Sequence, residues 1–139
     1  MAISDHVRKQ LVDYIMLQVY DDQYIDRQEE RKILELAIKK GLTVDEGLSL
    51  IQQLASEKGI VIEREAEEKA QEVLEQFATN DGVVDKKEFD NALSFFKKVS
   101  KGKIPEPELK RRLKSMMQEN DWKAKEGGFF GKKWFSEIT

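Results

Sequence analysis

Asn80-Asp81-Gly82-Val83-Val84-Asp85-Lys86-Lys87-Glu88-Phe89 is the stretch on which the fold turns. Asn-Asp-Gly stops whatever helix precedes it, because glycine enters left-handed backbone at no steric cost. Two β-branched valines then favour a short extended step. Asp85, followed three residues later by Glu88, is a capping box that opens a new helix. Phe89, Ala92, Leu93 and Phe96 carry that helix on at helical spacing. The stretch therefore reads as helix stop, extended step, helix start, and it predicts an all-α chain jointed by very short extended pieces.

Working outward, the same plan recurs. Asp22-Gln23-Tyr24-Ile25 precedes Glu29, Lys58-Gly59-Ile60-Val61 precedes Glu65, and Lys101-Gly102-Lys103-Ile104 precedes Glu108. With Val84 and Glu88, each joint places a branched apolar residue four positions before a glutamate. The branched residues are expected to meet as short extended pairs between helical hairpins. Between the joints, Val7, Leu11, Tyr14, Ile15 and Val19 predict a helix over about 5–19, and Ile33, Leu34, Ala37 and Ile38 a second from Asp26 to Gly41. A capping box at Thr43 and Glu46 opens a third that ends near Gly59. Ala66, Ala70, Val73, Leu74 and Phe77 mark a fourth over about 63–78. Pro105 and Pro107 suit the first turn of a sixth, carrying Leu109, Leu113, Met116 and Met117 to about Asn120. The expected architecture is one all-α domain of five or six helices in two related hairpin groups over residues 1–120, followed by an aromatic and basic tail over 121–139.

Composition narrows function. The 139 residues suffice for one core, and 40% hydrophobic with 37% charged residues suits amphipathic helices with solvated outer faces. No cysteine is present, which excludes disulfides, thiolate chemistry and cysteine zinc sites. Asp5, Arg8 and Lys9 stand where a signal peptide needs apolar residues, and the longest apolar run is Tyr14-Ile15-Met16-Leu17. A cytoplasmic location is therefore expected. The net charge of −3 hides an asymmetry: 12 basic and 21 acidic residues up to Phe96, then 12 basic and 6 acidic from Lys97 onward. The halves either attract each other or offer the basic part to an anionic partner.

The opening stretch also resembles the second half of an EF-hand calcium loop entering its exit helix. With Gly82 at the turn, Asp81, Asp85 and Glu88 fall on ligand positions, but Phe77 and Thr79 occupy the leading ones and phenylalanine has no donor oxygen. No cofactor is expected; calcium on these three residues is the alternative, as a divalent-metal switch that changes an interhelical angle. The Asp-Gly-x-Val/Ile-x-x-x-Glu joints of this small acidic chain are similar to those of the TerB-like tellurite-resistance domains, across residues 5 to 120. That resemblance implies an all-helical fold and an intracellular scaffold role, membrane-associated or stress-related; the family's acidic metal-site clusters are not matched.

Catalysis is not expected. His6 is the only histidine, no Ser or Thr has an adjacent histidine base, and no glycine-rich phosphate loop follows a strand. Lys110-Arg111-Arg112-Leu113-Lys114, with Lys123 and Lys125, would suit phosphates, yet nothing else points to nucleic acid. The tail is the sharpest functional feature, holding five of the twelve aromatic residues in its last eighteen positions. If helical from Phe129, it puts Phe130, Trp134, Phe135 and Ile138 on one face, with Gly127-Gly128 as hinge. Three uses follow: covering a groove of the body, docking a protein, or lying on a membrane surface. The reading taken forward is noncatalytic docking of another protein through Trp122, Phe129, Phe130, Trp134 and Phe135, with Lys132 and Lys133 selecting an acidic surface.

Overall fold

A computed structural model describes residues 3–127 and 133–139; Phe129, Phe130 and Lys132 lie outside the described residues. Among the described residues there are six helices, α1 (Asp5–Gln18), α2 (Arg27–Lys39), α3 (Val44–Lys58), α4 (Glu63–Ala78), α5 (Lys86–Val99) and α6 (Glu106–Glu119). Four very short strands join them, β1 (Tyr24–Ile25), β2 (Val61–Ile62), β3 (Val83–Asp85) and β4 (Lys123–Lys125). The all-α reading holds, and no described helix is long and apolar enough to cross a membrane. The chain forms two compact units, 1–64 and 65–139, divided near the start of α4.

In the first unit each helix starts where a side chain can satisfy its orphan amides. Ser4 Oγ accepts from Val7 N at 3.2 Å. Asp26 and Glu29 exchange both bonds of a capping box, as do Thr43 and Glu46. The core gathers Ile15, Val19, Ile25, Ile33, Ile51, Leu54, Ile60 and Ile62. β1 pairs with β2 in parallel, Tyr24 opposite Val61 and Ile25 opposite Ile62. Parallel strands need a long crossover, and the α2–α3 hairpin supplies it. Gly47 lets α3 approach α2 closely: a Cβ there would sit 2.9 Å from Leu34 Cδ2. Glu30 is only 6% exposed; its Oε1 accepts from Arg64 Nε at 2.9 Å, while its Oε2 has no hydrogen-bond partner among the described residues.

The second unit repeats this plan. β3 and β4 also run parallel, with Val83 opposite Lys123, Val84 opposite Ala124 and Asp85 opposite Lys125, and the α5–α6 hairpin is the crossover. Asp22, Asp26 and Glu29 recur at one constant offset as Asp81, Asp85 and Glu88, and the buried Leu11 and Ile15 of α1 and Val19 at its C-cap recur as Ala70, Leu74 and Ala78 of α4. The first joint has Tyr24 N donating to Asp22 Oδ1 (3.2 Å) and Val61 N donating to Gln23 O (3.0 Å). The second has Val83 N donating to Asp81 Oδ1 (3.0 Å) and Lys123 N donating to Gly82 O (2.7 Å).

Three expectations change. Lys101–Ile104 carries no strand; it links α5 to α6 as Lys40–Leu42 links α2 to α3, and the fourth strand forms at Lys123–Lys125 instead. A boundary at residue 120 falls inside the second unit, because β4 completes its sheet. Finally, the described end of the chain is not a helix: residues 134–137 form a turn.

Candidate functional site

That turn lies on its own unit. The capping box of Asp85 and Glu88 starts α5 and sets Phe89 one residue further on, with its side chain buried. The Trp134 ring packs on Phe89 with centroids 5.0 Å apart and a tilt of 53°. Phe135 meets Trp134 edge-on at 5.7 Å. Lys114 of α6 places Nζ 5.1 Å from the centre of the Phe135 ring and donates to Ile138 O at 2.9 Å. Both aromatic geometries are favourable ones for ring quadrupoles and a cation.

Backbone and polar contacts fix the same turn. Trp134 Nε1 donates to Lys125 O at 3.1 Å, which ties the turn to β4. Glu126 accepts from Ser136 N at 3.3 Å and from Ser136 Oγ at 3.1 Å. Arg111 Nη1 donates to Thr139 O at 3.2 Å. Trp134, Phe135 and Ile138 nevertheless remain half-buried rather than enclosed. Beside them opens a cleft of about 410 Å³ lined by Lys86, Pro107, Lys110, Arg111, Trp134 and residues 137–139.

The cleft cations are partly compensated. Lys86 pairs with Asp90 at 2.8 Å, Lys110 lies 3.9 Å from Glu106, and Arg111 pairs with Glu108 at 2.6 Å. Hydrogen bonds from Arg111 and Arg112 hold the Glu108 carboxyl below its ordinary range, and the hydrogen bond from Lys97 does the same for Glu106. The site is therefore an aromatic rim flanked by cations already paired with Asp90, Glu106 and Glu108, better suited to an apolar or aromatic side chain than to gripping an anion.

Of the residues singled out in the tail, Trp134 and Phe135 come together, and exposed Lys133 stands next to them in sequence with no ion pair among the described residues. Trp122 is half-buried at the entry to β4, where its amide donates to Met117 O at 2.9 Å, so it belongs to a joint. Phe89, Lys114 and Glu126 were not expected at the site. Phe89 reads as ordinary core, and only the basic run 110–114 hinted that α6 had a second role.

Asp81, Asp85 and Glu88 serve the backbone. Asp81 Oδ1 accepts from Val83 N, Asp85 Oδ1 from Glu88 N at 2.7 Å, and Glu88 Oε1 from Asp85 N at 3.0 Å. Among the described residues no group of three or more His, Cys, Asp or Glu side chains is placed to hold a metal ion. No family model matches the chain, and neither does any curated protein or solved structure.

Proposed function

We propose that the protein is a noncatalytic intracellular recognition module that docks a protein partner at its C-terminal turn. One observation carries this reading: Trp134 and Phe135 are pinned from several sides yet stay half-exposed beside an open cleft. Aromatic rings held in one orientation lose little entropy on binding, which is why such rings dominate binding hot spots. Exposed Lys133, which forms no ion pair among the described residues, favours an acidic segment bearing at least one apolar side chain. The likeness of the joints to TerB-like domains would fit such a module into a scaffold. Membrane-surface binding by the same rings is the competing use.

A random peptide display library selected on the full chain, with Trp134→Ala as counter-selection, tests this. Acidic, apolar-bearing peptides should be enriched, and their affinity for Trp134→Ala should fall about tenfold or more. If no enriched peptide loses affinity for Trp134→Ala, and the chain co-sediments with anionic vesicles in a way that Trp134→Ala abolishes, a lipid surface replaces the protein partner at this turn.

A further inference from the structure

The first unit carries a groove between α1 and α2. Tyr14, Lys32, Glu35, Leu36 and Lys39 line a shallow groove of about 190 Å³. Its floor is anchored, since Tyr14 packs on one core cluster and Leu36 on another. Leu17, one turn beyond Tyr14 on the same stripe of α1, is 74% exposed. Lys32 and Lys39 are exposed and form no ion pair among the described residues.

The fold does not require this combination. At the constant offset that relates the two units, Leu17 corresponds to Gln76, Lys32 to Asn91 and Glu35 to Ser94. The second unit thus builds the same helix pair with a polar residue where the first exposes leucine. Of the other large exposed apolar residues, Tyr20 and Ile38 correspond to Thr79 and Lys97. The first unit sets exposed Leu17 and half-buried Tyr14 and Leu36 beside two lysines that form no ion pair among the described residues, in a part of the chain whose net charge is negative.

We infer that the α1–α2 groove binds an acidic amphipathic helix of a partner protein. Leucine-like side chains of that helix cover Tyr14, Leu17 and Leu36, and two carboxylates reach Lys32 and Lys39. The lysines are seven positions apart on one helix, or about 10 Å along its axis. Glu35 between them repels a carboxylate placed midway. The partner helix therefore carries its acids about two turns apart with uncharged residues between, so spacing as well as sign is selected.

The test uses a fluorescein-labelled helical peptide with a leucine stripe and two glutamates seven positions apart, its lysine-substituted counterpart, and anisotropy on the full chain. The glutamate peptide should bind, and Leu17→Glu or the pair Lys32→Glu/Lys39→Glu should each weaken it about tenfold or more. The lysine peptide should prefer the Lys32→Glu/Lys39→Glu chain, a charge reversal that lost folding cannot imitate. In the Trp134→Ala background, which removes the C-terminal turn as a second site for acidic peptides, the glutamate peptide should still bind and show the same dependence on Leu17, Lys32 and Lys39. Equal binding of both peptides to the unaltered chain overturns the inference, as does indifference to Leu17→Glu in a chain that melts normally. Loss of binding in Trp134→Ala would move the peptide to the C-terminal cleft and equally remove this groove from the account.

Discussion

The two units share a backbone plan and close it with opposite chemistry. In the first, α2 carries Glu30, and Arg64 at the start of α4 reaches it as a largely buried ion pair. In the second, α5 carries Phe89 at the corresponding position, and Trp134 reaches it as a ring contact. The joints themselves are alike down to the Asx turn and the capping box, since these satisfy backbone groups that every helix end leaves open. What the joint does not dictate is the side chain that covers the first turn of the following helix. That freedom leaves the first unit sealed by charge and the second capped by rings that remain at the surface.

Removing the central member of each closure separates them most clearly. Phe89→Ala deletes a buried ring and should cost about 4 kcal/mol in urea unfolding. In a double-mutant cycle with Trp134→Ala the coupling should be about 1 kcal/mol. A coupling near zero would mean that Trp134 rests on α5 without stabilising it. Arg64→Ala should cost somewhat less, about 3 kcal/mol, because it strands the Glu30 carboxylate in the interior. Replacing both partners by methionine should recover most of that loss, since the pair contributes little beyond an apolar contact of the same volume. If the double replacement is as damaging as Arg64→Ala, the ion pair specifies the first unit in a way the aromatic closure does not.

The helices were legible because their signals are local. Caps at Asp26, Thr43 and Asp85, glycines at 41, 59 and 82, and apolar residues at helical spacing lie within a few residues of what they control. The strands were legible only in part. Ile25 and Ile62 look like a pair, but Lys123-Ala124-Lys125 has no branched residue and enters from Asp121 in left-handed backbone (φ 57°) without a glycine. Its extended form depends on β3, remote in sequence, whereas Lys101-Gly102-Lys103-Ile104 has the local marks of a joint and no strand to pair with. The tail failed for the same reason. A helical face drawn through Phe130, Trp134, Phe135 and Ile138 competes with contacts to Phe89, Lys114 and Glu126, which periodicity cannot register.

The joints offer a finer comparison. Gln23 sits at φ 55° where the second unit has Gly82 at φ 71°. A side chain in left-handed backbone is strained, and glycine relieves the strain while giving up some entropy of the unfolded chain. Gln23→Gly should therefore stabilise by about 0.5–1 kcal/mol, and Gly82→Ala should destabilise by about 1 kcal/mol although nothing lies within 4 Å of the added Cβ. Thermal unfolding reads both. A loss from Gln23→Gly would show that the glutamine side chain holds the first joint in a manner the second does not use.

The smallest effect concerns two capping boxes within the first unit and is read by pH. Burial raises the Glu29 carboxyl above its ordinary value of 4.5, and the neighbouring Asp26 and Asp22 charges push the same way against the amide bond from Asp26. At Glu46 the backbone and side-chain hydrogen bonds of Thr43 lower the carboxyl below 4.5. For Glu29 the folded chain binds the proton more tightly than the unfolded one, so stability from this group rises as pH falls through the window above 4.5. For Glu46 the sign reverses: its contribution is present above 4.5 and is lost as pH falls through the lower folded value. Carbon-detected NMR titration of the two side-chain carboxyls should give Glu29 the higher midpoint, and Asp26→Asn should bring Glu29 down by removing a repelling charge. Midpoints that coincide would mean that the α2 box is as open to water as the α3 box, and that burial at the first joint does not reach its glutamate.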